Sequence, residues 1–432
     1  MFVLGIFIQP TFVNANDNSS KNVISVAMAT DDNYIYPTIV SMTSLARNSN
    51  RNTIYHIYIM HPDNLSHESK SKLLSVEEKY KNCIVKFVDM KNIFKEGYTD
   101  HRIPTSAYYR LAMPDVIHGV DKIIWLDGDT LVLGDLSEMI NIDMEGHYFK
   151  GFLDFPNLKE TENFGIYNDH YICSGVMLVN LRELRRNNMN VNAVSRFITQ
   201  NYNKLWQHDQ TVVNTLFMHK NGVLPPKFGV WNFDIKDHIY GYQGCVVYPY
   251  KYSVQEIIDA WQNPVILHCT NKPWKNLTKA LYVERWWKYA EVSGFLKEIQ
   301  EKYLIPDGIY EISPVSNRDK LFTIHNLRHG IPWLYVSDKD NSESQKFKIK
   351  YKSAGTFAIE TFPDKTLYVS KFIKHSSKTG LSHKWYFIPC GDGSYRIASK
   401  LNKHFMTING SFIKGQDENN SDSQKFILKK LA

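Results

Sequence analysis

The chain has no C-x-x-C pair, no long block of Lys or Arg, and no apolar run long enough to cross a bilayer. Each absence removes a class. The five scattered cysteines, Cys83, Cys173, Cys245, Cys269 and Cys390, supply neither a zinc-site spacing nor an even disulfide framework, which fits a reducing compartment. A formal charge of +7 spread along the chain describes a solvated basic surface. Such a surface favours phosphate-bearing ligands or an anionic membrane face and does not mark a nucleic-acid binder. A cytoplasmic or peripheral membrane location is therefore expected. Residues 1–22 leave a secretory route open. Met1 to Ile8 is apolar and Val13-Asn14-Ala15 suits a signal peptidase, but a positively charged start is missing, so a signal segment and a plain leader both fit.

At 432 residues the chain exceeds the usual single domain, and 43% hydrophobic residues against 22% charged give ample material for a core. Aromatic residues reach 13%, a surplus that lines sugar sites as well as cores, because ring faces stack on pyranose faces.

From Val23 the chain alternates strand-like and helix-like segments. Val23 to Ala29, Ile54 to Ile59, Ile84 to Val88, Lys122 to Leu126 and Val176 to Asn180 read as buried strands, and Ile39, Met42 and Ala46 mark one face of a helix. Alternation of this kind predicts an α/β fold with a mainly parallel sheet covered on both faces, and ligands bind such sheets beyond the carboxyl ends of the strands. Near Ile305-Pro306-Asp307-Gly308 helical periodicity stops. Three units of about 40 residues follow, opened by Gly308-x-Tyr310-x-Ile312, Gly355-x-Phe357-x-Ile359 and Gly393-x-Tyr395-x-Ile397. They close on Gln345-Lys346-Phe347, His383-Lys384-Trp385 and Gln424-Lys425-Phe426, which predicts a three-fold all-β structure.

Three segments carry chemistry. Asp127-Gly128-Asp129 follows the strand Lys122 to Leu126, so two carboxylates can converge on one hard divalent cation, Mn²⁺ or Mg²⁺. Asp31-Asp32-Asn33-Tyr34 ends the first strand. Its polar groups suit a base and ribose, Tyr34 suits stacking, and the same residues suit an Asx-type helix cap. His268 ends the apolar strand at Ile266-Leu267 and offers a nitrogen ligand, while Lys272 offers a point charge for phosphate; a structural histidine fits that place too.

Together these segments resemble glycosyltransferase family 8, retaining enzymes that include glycogenin and bacterial lipopolysaccharide galactosyl- and glucosyltransferases. The likeness covers roughly Val23 to Trp274. It implies a GT-A nucleotide-diphospho-sugar transferase fold, Rossmann-like, over residues 23–304. It also implies transfer of galactose or glucose from a UDP-sugar to a glycan acceptor with retention of configuration. Asp31, Asn33 and Tyr34 match the nucleotide-binding opening, and Arg110 in Ser106-Ala107-Tyr108-Tyr109-Arg110-Leu111 matches an arginine near the donor. Asp127, Asp129 and His268 match the metal ligands, and Lys272-Pro273-Trp274 the closing K-P-W. Asp154 falls where the family keeps a sugar-contacting Asp. Asp209 and Gln210 match a pair beside the donor sugar, Asp209 orienting it and the Gln210 amide oxygen facing the oxocarbenium-like centre of a front-face displacement. Two departures stand out. Cys173-Ser174-Gly175 replaces the usual Asn-(Ala/Ser)-Gly, and only Cys269-Thr270-Asn271 separates His268 from Lys272.

Residues 305–432 resemble ricin-type β-trefoils, whose repeats close on Q-x-W; the resemblance implies a glycan-binding or a structural module. Two rival functions remain at this stage: a nucleotide-sugar hydrolase, and a carbohydrate-binding protein with a degenerate transferase domain.

Overall fold

A computed structural model describes residues 21–91, 93–94, 105–156, 158–166, 171–236, 252–325, 333–362, 365–369, 373–376 and 380–431. The apolar start and the signal-peptidase-like triplet lie outside them, as does Cys245.

The N-terminal part is built on β1 (Asn22–Ala29), β2 (Thr53–His61), β3 (Cys83–Asp89), β4 (Lys122–Leu126), β6 (Phe149–Leu153), β7 (Ile172–Asn180) and β8 (Asn221–Val223). They form one sheet in the order β3-β2-β1-β4-β7-β6-β8. Strands β3, β2, β1 and β4 run parallel, as the alternation predicts. Strand β7 runs antiparallel to both β4 and β6, so the sheet is mixed rather than mainly parallel throughout. That reversal matters for the site. It sets the amino end of β7, with Cys173-Ser174-Gly175, beside the carboxyl end of β4, where Asp127 N–H donates to Gly175 O at 2.8 Å.

Each face of the sheet is covered. Ile24, Val26, Ile57 and Leu178 point to a core with the helix Ile35–Arg47, and Ala27, Trp125, Met177 and Val179 point to the opposite one. The helix Ile35–Arg47 carries a buried polar stripe on its inner side. Thr38 Oγ1 bonds Thr30 Oγ1 at 2.9 Å, Ser41 Oγ bonds Thr130 Oγ1 at 2.9 Å, and Ser44 Oγ accepts from Val132 N at 2.8 Å. These three hydroxyls each find a partner and fix the helix against Thr30, Thr130 and Val132, whereas the buried Thr43 Oγ1 on the same helix has none among the described residues.

A second, three-stranded sheet joins β5 (Thr130–Val132), β10 (Ile266–His268) and β9 (Val230–Trp231). The antiparallel β5–β10 pairing sets His268 opposite Thr130, one residue from Asp129. Residues 138 apart in sequence count thus meet because two short strands pair.

Beyond Gly308 every described strand pairing is antiparallel, and contact between Trp333–Asp338 and Phe412–Gln416 closes the twelve-stranded sheet on itself as a barrel, with Lys320–His325 and Trp385–Pro389 off the closed path. The three predicted closing motifs fall on equivalent features. Gln345, His383 and Gln424 each end a short 3₁₀ turn, and Phe347, Trp385 and Phe426 each begin the strand that follows. Those three rings are buried in the barrel core. In the first and third units the glutamine amide binds back to its own hairpin: Gln345 Nε2 donates to Asp338 O at 2.8 Å and Gln424 Nε2 to Asp417 O at 2.7 Å. His383 takes the middle place, its Nε2 2.9 Å from Ser376 Oγ.

Residues from Ile305 to Phe426 form a core of their own, and a second apolar cluster crosses residue 305. Leu277, Trp286 and Trp287 share one apolar cluster with Ala354, Tyr386, Ala398 and Phe405 of the barrel. Gly355 makes the contact feasible. Its φ is +72°, and a Cβ there would stand 2.8 Å from Leu277 Cδ2 and 2.9 Å from Trp287 Nε1. Polar pairs frame the seam: Glu291 Oε1 accepts from Tyr351 OH and Ala354 N, both at 3.1 Å, and Lys400 pairs with Glu284 at 2.8 Å.

Candidate active site

The loop after β4 turns Asp127 and Asp129 toward His268 at the end of β10. His268 Nε2 lies 3.7 Å from Asp127 Oδ2 and 3.4 Å from Asp129 Oδ1, and ligand atoms of all three lie within 4.8 Å of one another. Two carboxylates and one imidazole form a hard, oxygen-rich donor set that fits Mn²⁺ or Mg²⁺. Gly175 leaves the room. A Cβ there would stand 2.2 Å from His268 Cε1 and 2.9 Å from Asp127 Oδ2.

Lys272 Nζ pairs directly with Asp129 Oδ2 and lies 5.8 Å from the centre of the Tyr34 ring. Burial alone would raise the Asp129 carboxyl; the charges of Lys272 and His268 outweigh it and hold Asp129 well below the usual carboxylate range. The loop that carries Lys272 is pinned by Asn232, whose Nδ2 donates to Asn271 O at 2.6 Å and whose Oδ1 accepts from Asn271 N at 3.1 Å.

The nucleotide-binding opening is also a turn. Asp31 Oδ1 accepts from the backbone of Asn33 and Tyr34, both at 2.9 Å, an Asx turn that precedes the helix and does not cap it; the N-cap position is Tyr34, with no side-chain cap bond. Asn33 is exposed, and the half-buried Tyr34 ring meets Trp274 edge-on at 5.9 Å. Trp274 packs on Trp286 at 4.9 Å, Trp286 on Trp287 at 5.2 Å, and Trp287 on Tyr351 at 6.3 Å. An unbroken run of rings therefore joins the opening loop to the barrel.

On the other side of the metal group lies a buried polar network. Arg110 Nη2 is 2.9 Å from Asp127 Oδ1 and Nε is 3.1 Å from Asp209 Oδ2, while Nη1 donates to Ser174 O. Its guanidinium lies over the Trp125 ring at 4.7 Å, and Trp125 Nε1 donates to Asp127 Oδ1 at 2.9 Å. Burial works against the Arg110 charge, and Asp127 and Asp209 outweigh it. Gln210 Oε1 accepts from Ser174 N at 2.9 Å, and Gln210 Nε2 donates to Asp154 Oδ2 at 2.9 Å. The amide oxygen assigned above to the sugar side already accepts from Ser174 N, with Ser174 Oγ a second, longer donor at 3.4 Å. Burial pushes the Asp154 carboxyl up to about 6 and also raises Asp209. Just ahead of this pair, buried His208 holds φ +52°, a strained conformation for a histidine that aims Asp209 and Gln210 inward.

All eleven residues singled out from the sequence lie on these two adjoining networks and the opening loop. Sequence reasoning missed others. Trp125, Ser174, Gly175 and Asn232 hold the ligands in place, and buried Glu160 binds Tyr171 OH at 3.1 Å and Thr211 Oγ1 behind Gln210. Cys173, the departure from the resembled pattern, turns its Sγ to His268 Nδ1 at 3.7 Å. Trp125, Ser174 and Gly175, beside or within recognised motifs, carried some signal; Asn232 and Glu160 act across long sequence separations.

A model of the family described as glycosyl transferase family 8 matches residues 25–278. The chain belongs to that family. It is a glycosyltransferase, and enzymes of this family use nucleotide-sugar donors and typically a divalent metal. Among curated relatives it is 25% identical over 306 residues to lipopolysaccharide 1,2-glucosyltransferase of Escherichia coli, covering 69% of this chain and 80% of that protein. It is 22% identical over 280 residues to general stress protein A of Bacillus subtilis, covering 62% and 93%. Among solved structures its fold is similar to the galactosyltransferase LgtC in complex with donor and acceptor sugar analogues (TM-score 0.55, 20% identity, 65% of this chain and 100% of that one). It is also similar to the bifunctional glycosyltransferase WbbM in its apo form (TM-score 0.52, 18% identity, 68% and 53%).

Proposed function

We propose that this glycosyltransferase moves a hexose, galactose or glucose, from a UDP-sugar to a glycan acceptor with retention of configuration, assisted by Mn²⁺ or Mg²⁺. The observation that carries the reading is the meeting of Asp127, Asp129 and His268 next to the Arg110–Asp209–Gln210–Asp154 network. Asp127, Asp129 and His268 would hold the cation, which when bound neutralises charge on the departing diphosphate. Tyr34 and the turn at Asp31 to Asn33 bind the nucleoside. Lys272, now on Asp129, supplies a positive charge for the diphosphate. Asp209 and Asp154 accept hydrogen bonds from the sugar hydroxyls, and Gln210 faces the reacting carbon. Rate enhancement then comes from positioning and a preorganised field.

The barrel is read as a β-trefoil with its boundary at residue 305, residues 23–304 being the catalytic unit. The equivalence of the three turns ending at Gln345, His383 and Gln424 supports it. A role in holding polymeric glycan follows from that reading. Association with a membrane face follows from the +7 charge alone. No helix among the described residues is long and apolar enough to cross a membrane.

The test is a screen of UDP-sugars with Mn²⁺, with and without glycan acceptors, read by mass spectrometry. Transfer of a hexose to an acceptor supports the reading. UDP release that does not depend on acceptor would favour a hydrolase, and no turnover with any donor would favour a binding protein.

A further inference from the structure

The helix Leu296–Tyr303 lies beyond the segment that matches the family, which ends at residue 278. It nevertheless packs on the opening loop. Lys302 Nζ lies 2.8 Å from Asn33 O and 3.4 Å from Asp32 O. The same ammonium sits 5.4 Å from the centre of the Tyr36 ring and 5.8 Å from that of Tyr303. The next residue, Tyr303, meets Trp274 at 6.0 Å, on the ring run that also holds Tyr34.

The loop needs such a partner. Asp31 and Asp32 place two carboxylates on the loop that is to seat the nucleoside. Asp31 is turned into its own backbone, and Asp32 Oδ1 accepts from Ser66 Oγ at 2.7 Å, so the chain of residues 31–34 is fixed from one side by neutral donors. Lys302 fixes it from the other side and brings a positive charge. Carbonyls bonded to an ammonium keep their direction, which holds the Asn33 and Tyr34 side chains at one angle.

We propose that Lys302 is a positioning residue of the nucleotide site, supplied from outside the segment shared with the family. It locks the Asp32–Asn33 backbone and offsets the negative charge of the Asp31 and Asp32 carboxylates beside it. The proposal rests on the donor reading above, with the nucleoside seated on Asp31, Asn33 and Tyr34. Lys302 acts through the loop and not on the reacting bond, so its loss should weaken donor binding and spare the chemical step.

The experiment compares the full chain with Lys302→Met and Lys302→Arg, using UDP with Mn²⁺ as calorimetric probe and a UDP-sugar for kinetics. The Met variant should bind UDP about 5- to 20-fold more weakly, the loss expected of charge-assisted contacts at a partly exposed site. Donor KM should rise by a similar factor, with kcat within about twofold and the thermal midpoint within a few degrees. The Arg variant should recover most of the affinity. Unchanged UDP affinity in Lys302→Met, or a fall in kcat at constant KM, overturns the proposal while leaving the donor reading in place. Absence of UDP binding by the unaltered chain overturns both.

Discussion

Asp127 and Asp209 share one buried cation: the Arg110 guanidinium reaches the first at 2.9 Å and the second at 3.1 Å. The carboxylate on the metal side and the carboxylate on the sugar side are thereby held at a fixed separation by a rigid fork. An ammonium cannot span both. Arg110→Lys should therefore fail to restore the stability lost in Arg110→Met, which leaves a buried carboxylate unpaired at a cost of about 3–5 kcal/mol. Urea unfolding of the two variants is the measurement. A Lys variant as stable as the unaltered protein would show that the bridge carries no weight.

The room beside the metal ligands depends on Gly175. In Gly175→Ala the new methyl collides with His268 Cε1 and crowds Asp127, so the imidazole must rotate away. Mn²⁺ affinity should fall about 10- to 100-fold, in the range seen when ligand orientation is lost, with the fold retained. Electron paramagnetic resonance titration of free Mn²⁺ decides it. Equal affinities would remove His268 from the ligand set.

Gln210 links Ser174 and Asp154 on the sugar side. Gln210→Ala should lower kcat by about 10²-fold with little effect on UDP affinity, as for a group whose interaction forms in the transition state. A parallel fall in UDP affinity would make Gln210 a nucleotide contact instead.

The raised carboxyl of Asp154 has a consequence for stability. The folded group titrates near 6 and the unfolded one near 3.8, so between these values the folded state keeps a proton that the unfolded state has released. The group's contribution is therefore full below about pH 4 and is lost as pH rises through 6. At most about 3 kcal/mol is at stake, from about two units at 1.36 kcal/mol each. Asp154→Asn should flatten that loss, gaining on the unaltered protein at pH 7 to 8 and not at pH 4. Unfolding midpoints measured across this range without added metal provide the comparison, and parallel profiles would refute it.

The barrel is expected to be required for folding. A chain ending at residue 304 would bare Trp287, which is fully buried against Gly355 and Tyr351 in the intact protein. Such a chain should aggregate. In the full chain Gly355→Val should lower the thermal midpoint by several degrees, because a β-branched residue at φ +72° is strained and its side chain strikes Leu277 and Trp287. A soluble truncated protein that binds UDP as the whole chain does would refute the dependence.

The legible parts of this protein were local. Asp127-Gly128-Asp129 at the end of a buried strand, the periodicity that ends near residue 305 and the three closing motifs could each be read within a short window. The direction of β7 could not. An apolar strand shows the same alternation whichever way it runs, so nothing in Ile172 to Asn180 announced that its amino end would face the metal loop. Arg110 was legible as a site residue through its motif, but its two carboxylates lie in segments 17 and 99 positions away by number and meet it only through tertiary packing. The cluster that crosses residue 305 was hidden for a related reason. Trp286 and Trp287 look like any buried helical pair until the surface that covers them is known.

Gly355 also bears on how such an enzyme is assembled from parts. A chimaera joined at residue 305, where the chain itself changes character, would graft a foreign barrel onto the indoles of Trp286 and Trp287, and any incoming side chain at the Gly355 place would keep the two surfaces apart. A successful graft would have to carry the helix Val283–Ser293 with its barrel, including Glu291 and its bonds to Tyr351 and Ala354. The unit of inheritance that keeps both surfaces closed therefore begins inside the catalytic half.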